Sequence, residues 1–159
     1  NVELMRVMPN TSSRFNKGIT AIYNISASKS TQKKVALLFK KVGMILDIQK
    51  ESHMDDFTGL VGSGPAYFFY LLQVYEKRIL KLSDGDLEKK NLMISNLLDG
   101  VSKSIGSGET IEALIKAVSS KKGTTEAGIK SFQSSQLLKS FDKGIAAAIK
   151  RSKEISSEF

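Results

Sequence analysis

The chain contains no cysteine and a single histidine, His53. The absence of cysteine excludes disulfides and thiolate metal sites, and one histidine has no partner for a histidine-based metal cluster. We therefore expect no metal site. The sequence also lacks any run of about 18 apolar residues that would cross a membrane, and its first residues lack the basic start and apolar core of a secretory signal. These absences predict a cytoplasmic protein with no membrane partner.

Positive charge is in excess, with a formal net charge of +8 in 159 residues. Because basic surfaces attract phosphate, a nucleic-acid binder is one hypothesis, and it predicts binding that weakens steeply with salt. The lysines instead form scattered pairs within helix-like segments, which is typical of solvated helix faces. These pairs are Lys33-Lys34, Lys40-Lys41, Lys89-Lys90 and Lys121-Lys122. We therefore expect no nucleic-acid partner.

The first fifty residues predict a small α/β piece. Short runs rich in β-formers predict strands at 5–8, 18–23 and 44–48. Between the last two, Val35, Leu38, Phe39 and Val42 have helical spacing and predict a helix over 31–42, which Gly43 ends. This piece is too small to bury both faces of its sheet.

From about residue 51 the pattern is helical almost throughout, so we expect two domains, 1–50 and 51–159. A helix from Pro65 to about Leu82 begins apolar on every side, and it should be enclosed. Three later segments, around 93–105, 111–118 and 137–149, carry one apolar stripe each. Because one thin layer of helices cannot enclose the first of them, we expect a second copy of the chain to complete the core. The fold class is α+β, with a small βαβ piece followed by an all-α domain.

Two tracts combine glycine with hydroxyl residues at a predicted helix start. The first cradle is Gly62-Ser63-Gly64-Pro65, and the second is Gly123-Thr124-Thr125. Glycine lets the main chain approach a ligand closely, and free amides at a helix start attract carboxylates. Each tract by itself also fits a plain loop followed by a capped helix. Their joint presence favours a small carboxylated substrate.

Four motifs stand in one order along the chain. They are Arg6-Val7-Met8-Pro9-Asn10-Thr11, Met54-Asp55 leading into Gly62-Ser63-Gly64-Pro65-Ala66-Tyr67, Gly123-Thr124-Thr125, and Arg151-Ser152-Lys153-Glu154. In their order and spacing, the sequence resembles pyrroline-5-carboxylate reductase over nearly its whole length. The resemblance implies an oxidoreductase of proline biosynthesis that reduces 1-pyrroline-5-carboxylate to L-proline with NADPH or NADH. It also implies a homodimer, with higher oligomers left open.

The resemblance implies roles for particular residues. Gly123, Thr124 and Thr125 would hold the substrate carboxylate. Ser63 and Gly64 would form a second wall. Met8, Pro9 and Asn10 would border the nicotinamide end of the cofactor. Thr58 and Ser63 are the candidate catalytic residues, with the Thr58 hydroxyl near the imine. The alternative for Thr58 is a buried hydroxyl that is satisfied within the protein.

The chain departs from the family pattern at both cradles. Val61 stands where the family usually has serine, and Lys121-Lys122 stand where it usually has Pro-Gly. Any geometry that requires a left-handed residue at Lys122 would be strained. The lysines either attract the carboxylate or lie on solvated surface, and we favour the surface because lysine is usually exposed.

The family begins with a Rossmann domain whose Gly-x-Gly-x-x-Gly turn holds the dinucleotide pyrophosphate, and this sequence contains no such turn. Residues 1–50 resemble the last βαβ portion of that domain. We therefore expect a C-terminal fragment, inactive by itself, whose cofactor is bound mainly by an upstream domain. The alternative is a helical dimerisation or interaction module without catalysis.

Overall fold

The computed structural model describes residues 2–158. The strands are β1 (Met5–Pro9), β2 (Gly18–Asn24) and β3 (Gly43–Asp47). The α-helices in this range are α1 (Lys29–Lys40), α2 (His53–Phe57), α3 (Gly64–Leu82), α4 (Leu87–Ile105), α5 (Ile111–Ala117), α6 (Thr124–Ser134) and α7 (Leu137–Ser156). A 3-10 turn at Thr11–Phe15 and a π-helical turn at Thr58–Gly62 complete the elements. The small sheet and mainly helical remainder confirm the predicted fold class.

The sheet is mixed, in the order β1-β2-β3. β2 and β3 are parallel and α1 connects them, which confirms the predicted βαβ unit. β1 runs antiparallel to β2, with Met8 opposite Ala21. The reason lies in the connection, because the short 3-10 turn after β1 cannot make the long crossover that a parallel pair requires.

The start of α1 is capped from two directions. The Ser28 hydroxyl accepts a hydrogen bond from the Thr31 amide at 3.3 Å. The Glu3 carboxylate accepts a second one from the Ser28 amide at 2.8 Å, and a third from the Thr31 hydroxyl. These hydrogen bonds from Ser28 and Thr31 lower the pKa of Glu3 to about 2. A carboxylate at a helix start also interacts favourably with the helix dipole.

The core of the α/β part lies between the sheet and α2. Ala21 of β2 packs with Met54 and Phe57 of α2, and all three are buried. Ile19 and Tyr23, two residues to either side of Ala21, pack against the same cluster, as alternation along a strand requires. The sequence predicted a helical pattern from about residue 51 but did not delimit α2, because five residues are too few for a helical periodicity to be visible.

The chain forms two compact units, residues 2–68 with 141–158 and residues 69–140. The second unit holds most of α3 with α4, α5 and α6. Within it, Lys90 of α4 is buried and pairs with Glu76 of α3 at 2.6 Å. Apolar side chains of α4 and α5, among them Leu97, Val101 and Ile115, line an open groove of about 640 Å³.

The apolar start of α3, predicted to be enclosed, is exposed in the single chain. Phe68, Phe69 and Val74 are 61%, 68% and 61% exposed. Within residues 2–158, none of the helices combines the length and the apolar character that crossing a bilayer requires.

Candidate active site

The first cradle is built on a π-helical turn between α2 and α3. The Ser63 amide donates to the Thr58 carbonyl at 3.0 Å, a step of five residues that is characteristic of π geometry. The turn widens the helix at Thr58–Gly62, and α3 then starts at Gly64 with Pro65 in its first turn, where proline is tolerated. Such turns interrupt regular helices and occur frequently at functional sites.

The Thr58 hydroxyl already has a partner in the protein. Its Oγ1 donates to the Met54 carbonyl at 2.8 Å, one helical turn earlier. This is the arrangement expected of a satisfied hydroxyl. The oxygen retains lone pairs, so Thr58 in this geometry can still accept a hydrogen bond from a ligand.

The end of β1 lies against the π-turn. A side-chain carbon placed on Gly62 would meet the Met8 methyl carbon (Cε) at 3.4 Å. Asn10 spans the same junction, because its Oδ1 accepts from the Ile19 amide at 3.1 Å and its Nδ2 makes a long 3.5 Å contact with the Val61 carbonyl. Met8 and Asn10, predicted to border the cofactor, therefore lie beside the loop that carries Thr58 and Ser63. Pro9, between them, is exposed.

The second cradle starts α6. Gly123 is the residue before the helix, and a side-chain carbon there would meet the Ser120 hydroxyl oxygen (Oγ) at 2.3 Å and the Ser120 carbonyl oxygen at 3.0 Å, so a larger residue would require Ser120 to move. Thr124 and Thr125 form the first helical positions, with Thr125 half-buried and Thr124 exposed. The amides of this first turn lack partners one turn earlier, as in every helix.

Lys122 has the left-handed backbone conformation, with φ of 60°. The Lys122 amide donates to Glu126 Oε2 at 2.5 Å, and the Lys130 ammonium group contacts Glu126 Oε1 at 2.5 Å. The Lys130 hydrogen bond, followed by the Lys122 amide, lowers the pKa of Glu126 below its usual range. Both Lys121 and Lys122 are exposed, as the surface interpretation predicted.

Comparison with known proteins decides the family. The family model described as pyrroline-5-carboxylate reductase dimerisation matches residues 51–155. The chain belongs to the pyrroline-5-carboxylate reductase family. Pyrroline-5-carboxylate reductase 1 of Bacillus subtilis is 36% identical over 156 residues, covering 98% of this chain and 52% of that protein. Pyrroline-5-carboxylate reductase 2 of the same species is 32% identical, covering 98% and 56%.

Solved structures of the reductase family share the fold. The enzyme of Streptococcus pyogenes has a TM-score of 0.84 at 27% identity, covering 96% of this chain and 59% of that one. The Plasmodium falciparum protein, solved with NADP bound, has a TM-score of 0.82 at 24% identity, covering 96% and 58%. The chain spans about half the length of the curated relatives it matches.

The predicted site residues of this reductase-family chain fall in both units. Met8, Pro9, Asn10, Thr58, Ser63 and Gly64 belong to residues 2–68, whereas Gly123, Thr124 and Thr125 belong to residues 69–140. The structure brings the predicted cofactor-bordering and catalytic residues together in the first unit. That both cradles face one pocket stays a prediction. The described part of the chain holds no cluster of three or more His, Asp or Glu side chains arranged to bind a metal ion.

Sequence reasoning missed the residues that support the first cradle from behind. Asp55 is buried, and its Oδ1 accepts hydrogen bonds from Ser152 and Ser156 of α7. The α7 backbone also crosses Gly59, because a side-chain carbon there would lie 2.7 Å from the Ile149 nitrogen. The only sequence signal was the presence of Met54-Asp55 and Arg151-Ser152 among the family motifs, which says nothing about their pairing.

Proposed function

We propose that this chain supplies the dimerisation and substrate-binding part of a pyrroline-5-carboxylate reductase, which reduces 1-pyrroline-5-carboxylate to L-proline. The observation that carries the proposal is the junction of β1 with the π-turn, which puts Met8 and Asn10 beside the loop bearing Thr58 and Ser63. A reductase of a cyclic imine needs its cofactor and its substrate to meet at such a junction.

The cofactor in this proposal is NADPH or NADH. The NADP bound to the Plasmodium falciparum relative supports a nicotinamide cofactor. The nicotinamide ring would approach at the end of β1, where Met8 packs beside Gly62, and Met8, Pro9 and Asn10 would border it. When bound, a nicotinamide supplies the hydride. The chain holds no glycine-rich dinucleotide turn, so most of the cofactor contacts would come from sequence outside these 159 residues.

The chain's own residues then bind and orient the imine. The main-chain amides and hydroxyls of Thr124 and Thr125 would hold the carboxylate through charge-assisted hydrogen bonds, beside Gly123, whose own amide donates to the Ser120 carbonyl at 3.0 Å. Ser63 and Gly64 would line one side of the site that holds the ring of the imine. Because the Thr58 hydroxyl hydrogen is directed to the Met54 carbonyl, its oxygen would accept from the N–H of a protonated ring nitrogen. Thr58 would thus favour the charged imine, which accepts hydride more readily.

The same proposal includes a homodimer, a cytoplasmic location and a domain division at 1–50 and 51–159. The family model that starts at residue 51 supports the division, and its description as a dimerisation domain supports the homodimer. The exposed apolar residues of α3 and the α4–α5 groove supply the surface that a second copy would cover.

The deciding experiment joins the N-terminal half of the Bacillus subtilis relative to Asn1 of this chain. We expect this chimera to oxidise NADPH only when 1-pyrroline-5-carboxylate is present, and the 159-residue chain by itself to be inactive. A folded chimera that binds NADPH but does not respond to the imine would contradict the reductase proposal. If the chain nevertheless dimerises, that result would favour the non-catalytic interaction module.

The chimera also tests the carboxylate site. Replacing both Thr124 and Thr125 by alanine should raise KM for the imine by about tenfold with a smaller change in kcat, since a hydrogen bond to a charged group is worth about 1.5–3 kcal/mol. Ser134→Ala, at the other end of α6, is the matched control and should leave both constants unchanged. An unchanged KM in the double variant would place the carboxylate elsewhere.

A further inference from the structure

The C-terminal helix α7 is fixed to α2 by one buried carboxylate. Asp55 Oδ1 accepts from the Ser152 hydroxyl at 2.9 Å and from the Ser156 hydroxyl at 2.7 Å. Asp55 is 8% exposed, so these two donors replace water that the carboxylate has lost. Hydrogen bonds to a charged acceptor are the strong ones, and each is worth about 1.5–3 kcal/mol.

The two serines lie four residues apart and therefore share one face of α7. The same face continues to Ile149, where the helix backbone passes directly over Gly59 of the π-turn. Farther along, the Phe141 ring packs edge-on against the Tyr67 ring, with 6.2 Å between centroids. The Tyr67 hydroxyl in turn donates to the Gly59 carbonyl at 2.7 Å. Both α7 and Tyr67 thus contact Gly59.

We propose that Asp55 is a positioning residue, which acts through Ser152, Ser156 and α7 to hold the π-turn in the shape that presents Thr58 and Ser63. Gly59 adjoins Thr58, and the bond from the Ser63 amide to the Thr58 carbonyl closes the turn. If α7 lifts away, Gly59 loses its cover and the turn is free to return to ordinary α-helical geometry. The carboxylate itself does not touch the substrate. This inference rests on the proposed function for its consequence in catalysis.

A matched control lies one residue away. Asp56 also links α2 to α7, through an ion pair with Lys153 at 3.2 Å, but both side chains are about half exposed. Exposed ion pairs contribute about 0–1 kcal/mol, so the Asp56 contact should not fix the helix. We call the hydrogen bonds from Ser152 and Ser156 to Asp55 the clamp. Comparing variants of Asp55 with variants of Asp56 therefore separates the effect of the clamp from simple charge attraction between the same two helices.

The test uses the chimera below the unfolding temperature of every variant. Asp55→Ala should lower kcat by about tenfold or more while KM for NADPH stays within about twofold, because the reacting geometry changes whereas most cofactor contacts would come from the other half of the chimera. Asp55→Asn keeps an oxygen at the same place and should retain most of kcat. Asp56→Ala should leave all constants unchanged. A kcat in Asp55→Ala within about twofold of the parent, or an equal loss in Asp56→Ala, would overturn the proposal.

Two further measurements keep the outcome decisive. If Asp55→Ala fails to fold, Ser152→Ala and Ser156→Ala remove one donor each and should each lower kcat by about threefold, whereas two unchanged variants would overturn the proposal.

If the unsubstituted chimera does not reduce the imine, the proposed function fails, and amide exchange in the 159-residue chain decides the inference. The Ser63 amide should then exchange faster in Asp55→Asn than in Asp56→Asn, and faster still in Asp55→Ala, relative to the β2 amides. Equal rates in all three variants would refute the clamp.

Discussion

At the scale of single residues, Lys122 adopts a backbone conformation that its side chain disfavours. A side chain with a Cβ at φ of 60° costs about 1–2 kcal/mol relative to the right-handed region. The cost is offset in part because the Lys122 amide reaches the Glu126 carboxylate. The strain therefore lies directly before the second cradle.

We predict that Lys122→Gly raises the free energy of unfolding by about 0.5–1 kcal/mol, since relief of the left-handed strain exceeds the added flexibility of the unfolded chain. Lys121→Gly is the control. Lys121 is also exposed and carries the same charge, but its φ is not positive, so the same substitution should lower stability. Urea unfolding of the parent chain, Lys122→Gly and Lys121→Gly measures both changes in unfolding free energy. A loss of stability in Lys122→Gly would show that the conformation carries no strain.

Residue-level reasoning from the sequence anticipated part of this site. The penalty for a left-handed Lys122 follows from local backbone chemistry, and the alternative of a satisfied Thr58 hydroxyl matches its bond to Met54. The sequence could not predict Asp55 as a buried acceptor, because its donors lie 97 and 101 residues away.

At the scale of elements, the contact between α7 and the π-turn depends on one missing side chain. Gly59→Ala would place a carbon 2.7 Å from the Ile149 nitrogen and 2.8 Å from its Cα, so the helix must move. We predict a loss of about 1–3 kcal/mol in unfolding free energy. Gly144→Ala is the control, because nothing lies within 4 Å of its added carbon and alanine favours a helix interior. It should stabilise the chain by about 0.5–1 kcal/mol. Equal effects of the two substitutions in thermal unfolding would argue against close packing at Gly59.

The cap of α1 gives a pH dependence with a definite sign. The pKa of Glu3 is lowered from 4.5 to about 2, so its carboxylate stabilises the fold fully above pH 4.5 and the stabilisation is lost as the pH falls towards 2. We predict that Glu3→Gln is less stable than the parent at pH 6, and that the difference shrinks between pH 4.5 and 2. Glu51→Gln removes only an exposed ion pair with Arg6, so its stability should differ little from that of the parent at either end of the pH series. Denaturant unfolding across this pH series checks the prediction, and a constant difference for Glu3→Gln would contradict it.

At the scale of the whole molecule, the second unit exposes many large apolar side chains, among them Phe69, Leu97, Val101 and Ile115, and such surface marks interaction sites. The proposed homodimer would cover the α4–α5 groove. We predict that Val101→Asp shifts the chain from dimer to monomer in sedimentation equilibrium, because an aspartate buried at an apolar interface loses its water without gaining a partner. Lys116→Asp, on α5 but outside the groove lining, should remain dimeric. A dimeric Val101→Asp would exclude the groove as the interface, and a monomeric parent would refute the homodimer.

The sequence alone determined the βαβ unit, the helical remainder and the family. Apolar spacing, turn residues and short motifs act over a few neighbouring positions, and such local rules can be read without coordinates. Only the tertiary structure decided that β1 is antiparallel, that a π-turn presents Thr58 and Ser63, and that Asp55 binds Ser152 and Ser156. These features depend on packing between segments that are distant in the chain, and the free energy of such contacts is set by burial and geometry rather than by local sequence.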